Sequence, residues 1–429
     1  MTGFAKTKYH LQSLCCGEQL EDRNWELNCP NNEKPGLLRA IYDSKQLLVD
    51  DTLPGLYKFS SWLPICKTLK GSGAPVTYKS IGLANELGLK NLYITFNGYW
   101  PEKGALMNTG TFKECEAYSV CARQNGNVNG IMVVASAGNT ARAFAKVCSE
   151  NKIPVLICIP EDNLNALWFA QEIDPCVKII AAESGGDYFD AIHLSNLACN
   201  IEGFYPEGGA KNVARRDGMG TTVLSAVTTI GQIPEFYFQA IGSGTGAIAA
   251  WEANLRFLED GRYGSTKMKL MLSQNAPFLP IKEAWEADSR QMLPINDEEA
   301  RKQVEEIVAK VLSNRKPPYS LTGGLYDAMK DAGGEVFAVT NPEAAKAALL
   351  FSQTEGNDLE PAASVAVASL IKAVQEGNVN VNSIIMLNIT GGGIMKFKLE
   401  NEINYLKPAL VFPLNPDPQS VAEKVKMLF

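Results

Sequence analysis

Histidine is nearly missing from this chain: among its 429 residues only His10 and His193 carry an imidazole. That all but excludes a His-rich metal centre or a Ser-His-Asp hydrolase, and it leaves proton transfer to lysine or carboxylate side chains. Long apolar runs are missing too. No uncharged apolar stretch reaches the roughly 18 residues that a membrane span needs. Residues 1–14 have neither the apolar block nor the small-residue cleavage site of a signal peptide, so a cytoplasmic location is expected. Positive charge is not in surplus. Forty Lys and Arg against 47 Asp and Glu leave −7, the wrong sign for a general nucleic-acid surface. Internal repeats and low-complexity tracts are absent, and no Gly-Lys-Ser/Thr marks a nucleotide triphosphate site.

What remains is an ordinary globular composition, 46% apolar and 20% charged, long enough for two or three domains. Ten cysteines in a reducing compartment read as small buried hydrophobes; Cys115, Cys121 and Cys148 follow helical spacing. Residues 1–65 read as a separate, turn-rich element holding Cys15, Cys16 and Cys29. A zinc ribbon wants two Cys-x-x-Cys knuckles, and here both are degraded, so a metal-free hairpin is expected.

From about residue 76 the pattern alternates. Strand-like runs occur at Asn91–Phe96, Ile131–Ala135, Val155–Pro160, Val177–Ala182, Glu235–Ile241, Lys269–Ser273, Glu335–Thr340 and Ser383–Ile389. Helix-period stretches such as Thr140–Glu150, Ala247–Leu258, Pro342–Gln353 and Ala362–Gln375 separate them. The expected fold class is α/β, with two open, twisted, mostly parallel sheets covered by helices. Asp297–Lys316 reads as a charged, solvated surface helix.

Ligands in such folds sit at the carboxyl ends of strands, where three glycine-punctuated loops follow strand-like runs. Gly242-Ser-Gly-Thr-Gly246 precedes a helix, so backbone N–H groups and the helix dipole can converge on one phosphate. Its Gly-x-Gly-x-Gly spacing is not the dinucleotide fingerprint. Asp260, some 20 residues on, lies in a turn rather than at a strand end, which disfavours a nicotinamide-dependent oxidoreductase. Ala135-Ser-Ala-Gly-Asn-Thr140 serves equally as a helix cap or a carboxylate holder, and Asn388-Ile-Thr-Gly-Gly-Gly-Ile394 reads as another pocket wall. In a fourth segment, Lys113 opens a helix against its dipole, a local conflict that marks a functional amine.

Taken in order, Thr-Gly-Thr-Phe-Lys113, Ser136-Ala-Gly-Asn-Thr140, Gly242–Gly246, Ser320-Leu-Thr-Gly-Gly-Leu-Tyr-Asp327, Glu360-Pro-Ala-Ala-Ser364 and Thr390-Gly-Gly-Gly393 resemble the fold type II enzymes that use pyridoxal 5'-phosphate. Within that group they resemble the threonine synthase family. The chain departs from that family's pattern at Glu114, at Ala137 and at Thr95-Phe-Asn97. With Gly208-Gly-Ala-Lys-Asn-Val-Ala-Arg-Arg-Asp217, these departures bring it closest to the branch that converts O-phospho-L-serine and sulfite to cysteate and phosphate on the route to coenzyme M. The alternative is threonine synthesis from O-phosphohomoserine. A non-catalytic amino-acid-binding protein is a third reading, and it would need no reactive lysine.

The resemblance implies a role for each residue. Lys113 forms the Schiff base and acts as base; Asn139 meets the cofactor's phenolic oxygen; Gly242, Ser243, Gly244, Thr245 and Gly246 take its phosphate; Thr390 meets the ring nitrogen. Thr111, Ser136 and Thr140 bind substrate, with Arg215 and Arg216 on its phosphate and on sulfite and Lys211 a weaker candidate. No metal, nucleic acid or membrane partner is expected, and a homo-oligomer is. The implied division is residues 1–65, a smaller lysine-bearing domain over 66–210 and a larger phosphate-loop domain over 211–429.

Overall fold

Val155–Pro160 offers no polar side chain to either face, and all six residues are buried. Such a strand needs cover on both sides, which a parallel sheet with crossover helices supplies. The computed structural model describes residues 4–23, 25–31, 35–124 and 130–429. In chain order it places β1 (Tyr9–Ser13), β2 (Gln19–Leu20), β3 (Leu38–Tyr42), β4 (Val76–Lys79), β5 (Asn91–Phe96), α1 (Lys113–Arg123), β6 (Ile131–Ala135), α2 (Asn139–Asn151), β7 (Val155–Pro160), β8 (Val177–Ala182), α3 (Tyr188–Cys199) and β9 (Phe204–Pro206). The second half carries α4 (Val213–Ile230), β10 (Phe236–Ala240), α5 (Thr245–Asp260), β11 (Lys269–Asn275), α6 (Asp297–Glu306), β12 (Gly334–Val339), α7 (Asn341–Glu355), α8 (Pro361–Gln375), β13 (Ile384–Ile389), β14 (Leu410–Phe412) and α9 (Pro418–Lys426).

Two sheets form the body. The five-stranded one runs β9-β6-β7-β8-β14 and is parallel throughout. The six-stranded one runs β12-β11-β10-β13-β5-β4, parallel except for its antiparallel edge β4. Alternate residues of β7 serve different layers, as the strand period of two requires. Val155, Ile157 and Ile159 pack with Tyr118 of α1 and Phe144 of α2, whereas Leu156 and Cys158 pack with Leu194 of α3 and Val421 of α9.

The domain division drawn from the sequence needs redrawing. β4 and β5 belong to the six-stranded sheet, with Ile94 in register with Leu387, and β14 returns to the five-stranded one, Leu410 beside Ile180. Nor is the N-terminal element separate. Leu11, Leu37, Leu38, Ala40 and Tyr42 share one core with Val223 of α4 and Phe257 of α5. The loops of its antiparallel sheet bring ligand atoms of Cys16, Glu18 and Cys29 within 4.8 Å of one another.

The charged segment 297–316 is not one solvated helix. α6 stops at Glu306, after which Ile307, Ala309 and Leu312 turn into the core. Burying those apolar side chains outweighs helix continuation in a stretch that ends at Pro317 and Pro318.

Candidate active site

Loops from both sheets meet in a cleft with two contiguous, partly open lobes. Lys113, Asn139, Ser243 and Val311 line both. Lys113 is the first residue of α1, and acidic side chains in that first turn answer the unfavourable helix dipole. Glu114 Oε1 accepts from the Thr109 amide at 2.5 Å, and Glu116 Oε2 accepts from Lys113 Nζ at 3.1 Å. Burial pulls the Lys113 amine below its ordinary value; Glu116 opposes that shift and Arg215 adds to it.

The turn after β10 forms one end of the cleft. Gly244 has φ +75, and a Cβ there would lie 2.5 Å from Leu325 Cδ2; a Cβ on Gly246 would lie 2.7 Å from Gln239 Nε2. Glycine therefore keeps the turn open above the start of α5, where the first amides have no helical acceptor. The Ser243 and Thr245 hydroxyls stand 2.8 Å apart beside it. An anion cradle, a half-buried amine and the neutral Thr390 hydroxyl on the same cavity wall suit pyridoxal phosphate: the cradle its phosphate, the amine its aldehyde and Thr390 its ring.

The carboxylate-type loop is self-braced. Ser136 Oγ accepts from the Gly138 and Ala141 amides at 3.0 Å each, and Asn163 Nδ2 donates to Ala137 O at 2.7 Å. Asn139 Oδ1 accepts from Arg142 Nη2 at 2.8 Å, and burial brings that guanidinium down to about 10. Ser136, Asn139, Thr140 and Arg215 all line the cavity beside Lys113.

Other expected residues lie elsewhere. Arg216 is fully buried and faces away from the cleft: its Nε pairs with Glu252 Oε2 at 2.9 Å, and its other nitrogens bond the carbonyls of Ala210 and Leu38. Three of its five N–H donors are engaged there, and it lines neither lobe of the cleft. Thr111 is buried under the lysine, where its hydroxyl accepts from the Lys113 amide at 3.1 Å, and it is not among the cavity-lining residues. Lys211 turns to Asn28 Oδ1 at 2.7 Å, and His193 is exposed on α3.

The carboxylates around Arg215 escaped sequence reasoning. Glu116 accepts from Arg215 Nε at 3.1 Å and Nη2 at 2.9 Å, and Glu207 Oε2 accepts from Nη1 at 2.6 Å. Arg215 Nη2 also donates to Thr140 Oγ1 at 3.3 Å, so four of its five N–H donors are engaged. Burial would raise the Glu116 carboxyl, but Arg215 and Lys113 outweigh it and hold it low. Glu207 is raised by burial despite Arg215, and its Oε1 has no partner among the described residues. Tyr188 and Asn314 complete the wall. Glu360 borders the cradle; burial raises its carboxyl while Oε2 caps Ala362 at 2.9 Å. The one signal available was spacing, since Lys113 and Glu116 at i, i+3 share a helix face.

Comparison with known proteins gives the family and the fold. Residues 84–391 match the family described as pyridoxal-phosphate dependent enzyme. A cysteate synthase of Methanocorpusculum labreanum is 48% identical over 396 residues, covering 92% of this chain and 95% of that protein. Another, from Methanosarcina acetivorans, is 46% identical over 96% of this chain and 98% of its own. Among solved structures, maize serine racemase matches the fold with a TM-score of 0.55 at 15% identity, over 76% of this chain and 91% of its own.

Proposed function

Since the chain belongs to the pyridoxal-phosphate dependent enzymes, we propose that it is a β-replacement enzyme making cysteate and phosphate from O-phospho-L-serine and sulfite. The observation that carries this reading is the convergence of Lys113, Asn139, Thr390 and the Gly242–Gly246 turn on one cleft in a chain 43–48% identical to proteins named for cysteate synthesis. The net change at the substrate is small: the C–O bond to phosphate breaks at the β-carbon, a C–S bond to sulfite forms there, and the α-proton leaves and returns.

Bound in the cleft, pyridoxal phosphate supplies an electron sink that lets the α-carbon lose its proton. The protein does the rest. The glycine turn and the start of α5 hold the phosphate, Lys113 the aldehyde, Asn139 the phenolic oxygen and Thr390 the ring nitrogen. Thr390 brings a hydroxyl rather than a carboxylate, so no fixed negative charge faces the ring. Ser136 and the amides opening α2 orient the substrate carboxylate. When its nitrogen is free, Lys113 takes the α-proton onto Nζ as general base. Arg215, in the wall beside Lys113, supplies positive charge where phosphate leaves and sulfite enters, and Glu116 and Glu207 fix its fork.

Purified protein should absorb near ~410 nm, and borohydride should abolish the band and leave the cofactor on the peptide containing Lys113. It should release phosphate from O-phosphoserine with sulfite. Release only from O-phosphohomoserine with water would transfer the chain to threonine synthesis, and an unlabelled Lys113 would end the lysine assignment.

A further inference from the structure

Glu116 has no solvent exposure, yet all its bonds run to the working face of the cleft. It accepts from Lys113 Nζ at 3.1 Å, from Arg215 at 3.1 and 2.9 Å, and from Thr140 Oγ1 at 2.8 Å. Those donors come from α1, α2 and α4. A buried carboxylate gives up its hydration, and breaking such a pair leaves an uncompensated charge. Simple packing at this point would be met by an apolar side chain. Instead the fold places a carboxylate one turn from the reactive amine and gives it the cleft arginine as second partner.

We infer that Glu116 is the positioning residue for Lys113: a shared counter-ion that holds the amine against the cleft floor while Nζ carries a proton, and stays paired with Arg215 when Nζ is engaged elsewhere. The inference rests on the assignment of Lys113 above. In the proton transfer, the α C–H bond breaks and an N–H bond forms at Nζ. The resulting ammonium stands 3.1 Å from Glu116 and gives the same proton back later. Glu116 does not take the proton, because two bonds from Arg215 keep it ionised. The groups facing this pair are Arg215 from α4, Thr140 from α2, Glu207 after β9 and Tyr188 at the start of α3. Glu116 and Arg215 act on the amine with opposite sign, so removing each should move it in a different direction.

The test is the pH dependence of Lys113 acetylation by acetic anhydride, read by peptide mass spectrometry on full-length protein freed of cofactor with hydroxylamine. Glu116→Gln should move the midpoint down by at least one pH unit, so that labelling at pH 7 is about tenfold faster. Arg215→Met should move it up, and Glu116→Asp should restore most of the wild-type value. Glu116→Gln with Arg215→Met removes one charge of each sign, leaves Glu207 without its arginine, and should fall between the singles. Should the Gln variant fail to fold, the double variant against Arg215→Met alone reports the same quantity. A midpoint unmoved by loss of Glu116 in either background overturns the inference. Failure of pyridoxal phosphate and borohydride to label Lys113 in the wild type instead overturns the lysine assignment.

Discussion

Arg215 and Arg216 are neighbours on α4, so their side chains leave the helix about 100° apart. One enters the cleft wall and the other a buried pair with Glu252. Their substitutions should therefore differ in kind. Arg216→Met strands Glu252, which among the described residues keeps only Arg39 Nε at 3.3 Å, and should lower the unfolding free energy by about 3–5 kcal/mol in urea titrations. The apparent KM for O-phosphoserine should stay within twofold on the folded fraction. A tenfold rise in KM with stability intact would put Arg216 back among the substrate ligands. Sequence reading could not separate the two arginines, because every residue from Val213 to Val227 is buried. A helix covered all round has no polar stripe, and periodicity then carries no direction. Lys113 stood out for the opposite reason: a cation at a helix start breaks a local rule, and the structure puts that residue on the cleft wall.

At the scale of elements, the eight strands and four helices expected from apolar period and turn residues stand within one or two positions of their observed bounds. Long, strongly patterned segments leave little choice. Segment 297–316 was misread because its charges continue past Glu306, while the feature that ends the helix is a tertiary one: Ile307, Ala309 and Leu312 fill space beneath the cleft. The open glycine turn before a helix was readable from its spacing, though the part Leu325 plays in enforcing it was not. Gly244→Ala forces an L-residue to φ +75 with its Cβ against Leu325, at about 1–2 kcal/mol for the backbone alone. Titration of the cofactor-free protein with pyridoxal phosphate, followed by absorbance, should show affinity down at least tenfold while the far-ultraviolet dichroism is retained. Unchanged affinity would mean that the phosphate is held elsewhere.

In the whole molecule, a buried fork is among the contacts that clasp the N-terminal segment to the body. Arg123 donates to Asp22 at 2.7 and 2.6 Å and to Asn212 at 2.8 Å, and Tyr9 donates to Asp22 at 2.6 Å. Burial would raise the Asp22 carboxyl, but Arg123 overrides it and holds it below its ordinary value. A depressed native value means stability that is present above the unfolded value, ~3.9, and lost as pH falls through the native one. Asp22→Asn should therefore cost about 3–5 kcal/mol at pH 7, and the gap from wild type should close as denaturation is repeated below about pH 4. Equal stability at pH 7 would show the clasp to be idle. The sequence marked this element as separate because its cysteines and turns differ from the rest; only the packing of Leu11 and Tyr42 against α4 and α5 reveals it as part of the larger core. The interleaved topology has a mechanical consequence. The backbone passes between the two walls of the cleft three times, after β5, after β9 and after β13, so no single hinge governs the gap. Any clamping over a small molecule must flex three tethers together, and a protease that severs one of them leaves both walls still strapped to each other by the remaining two.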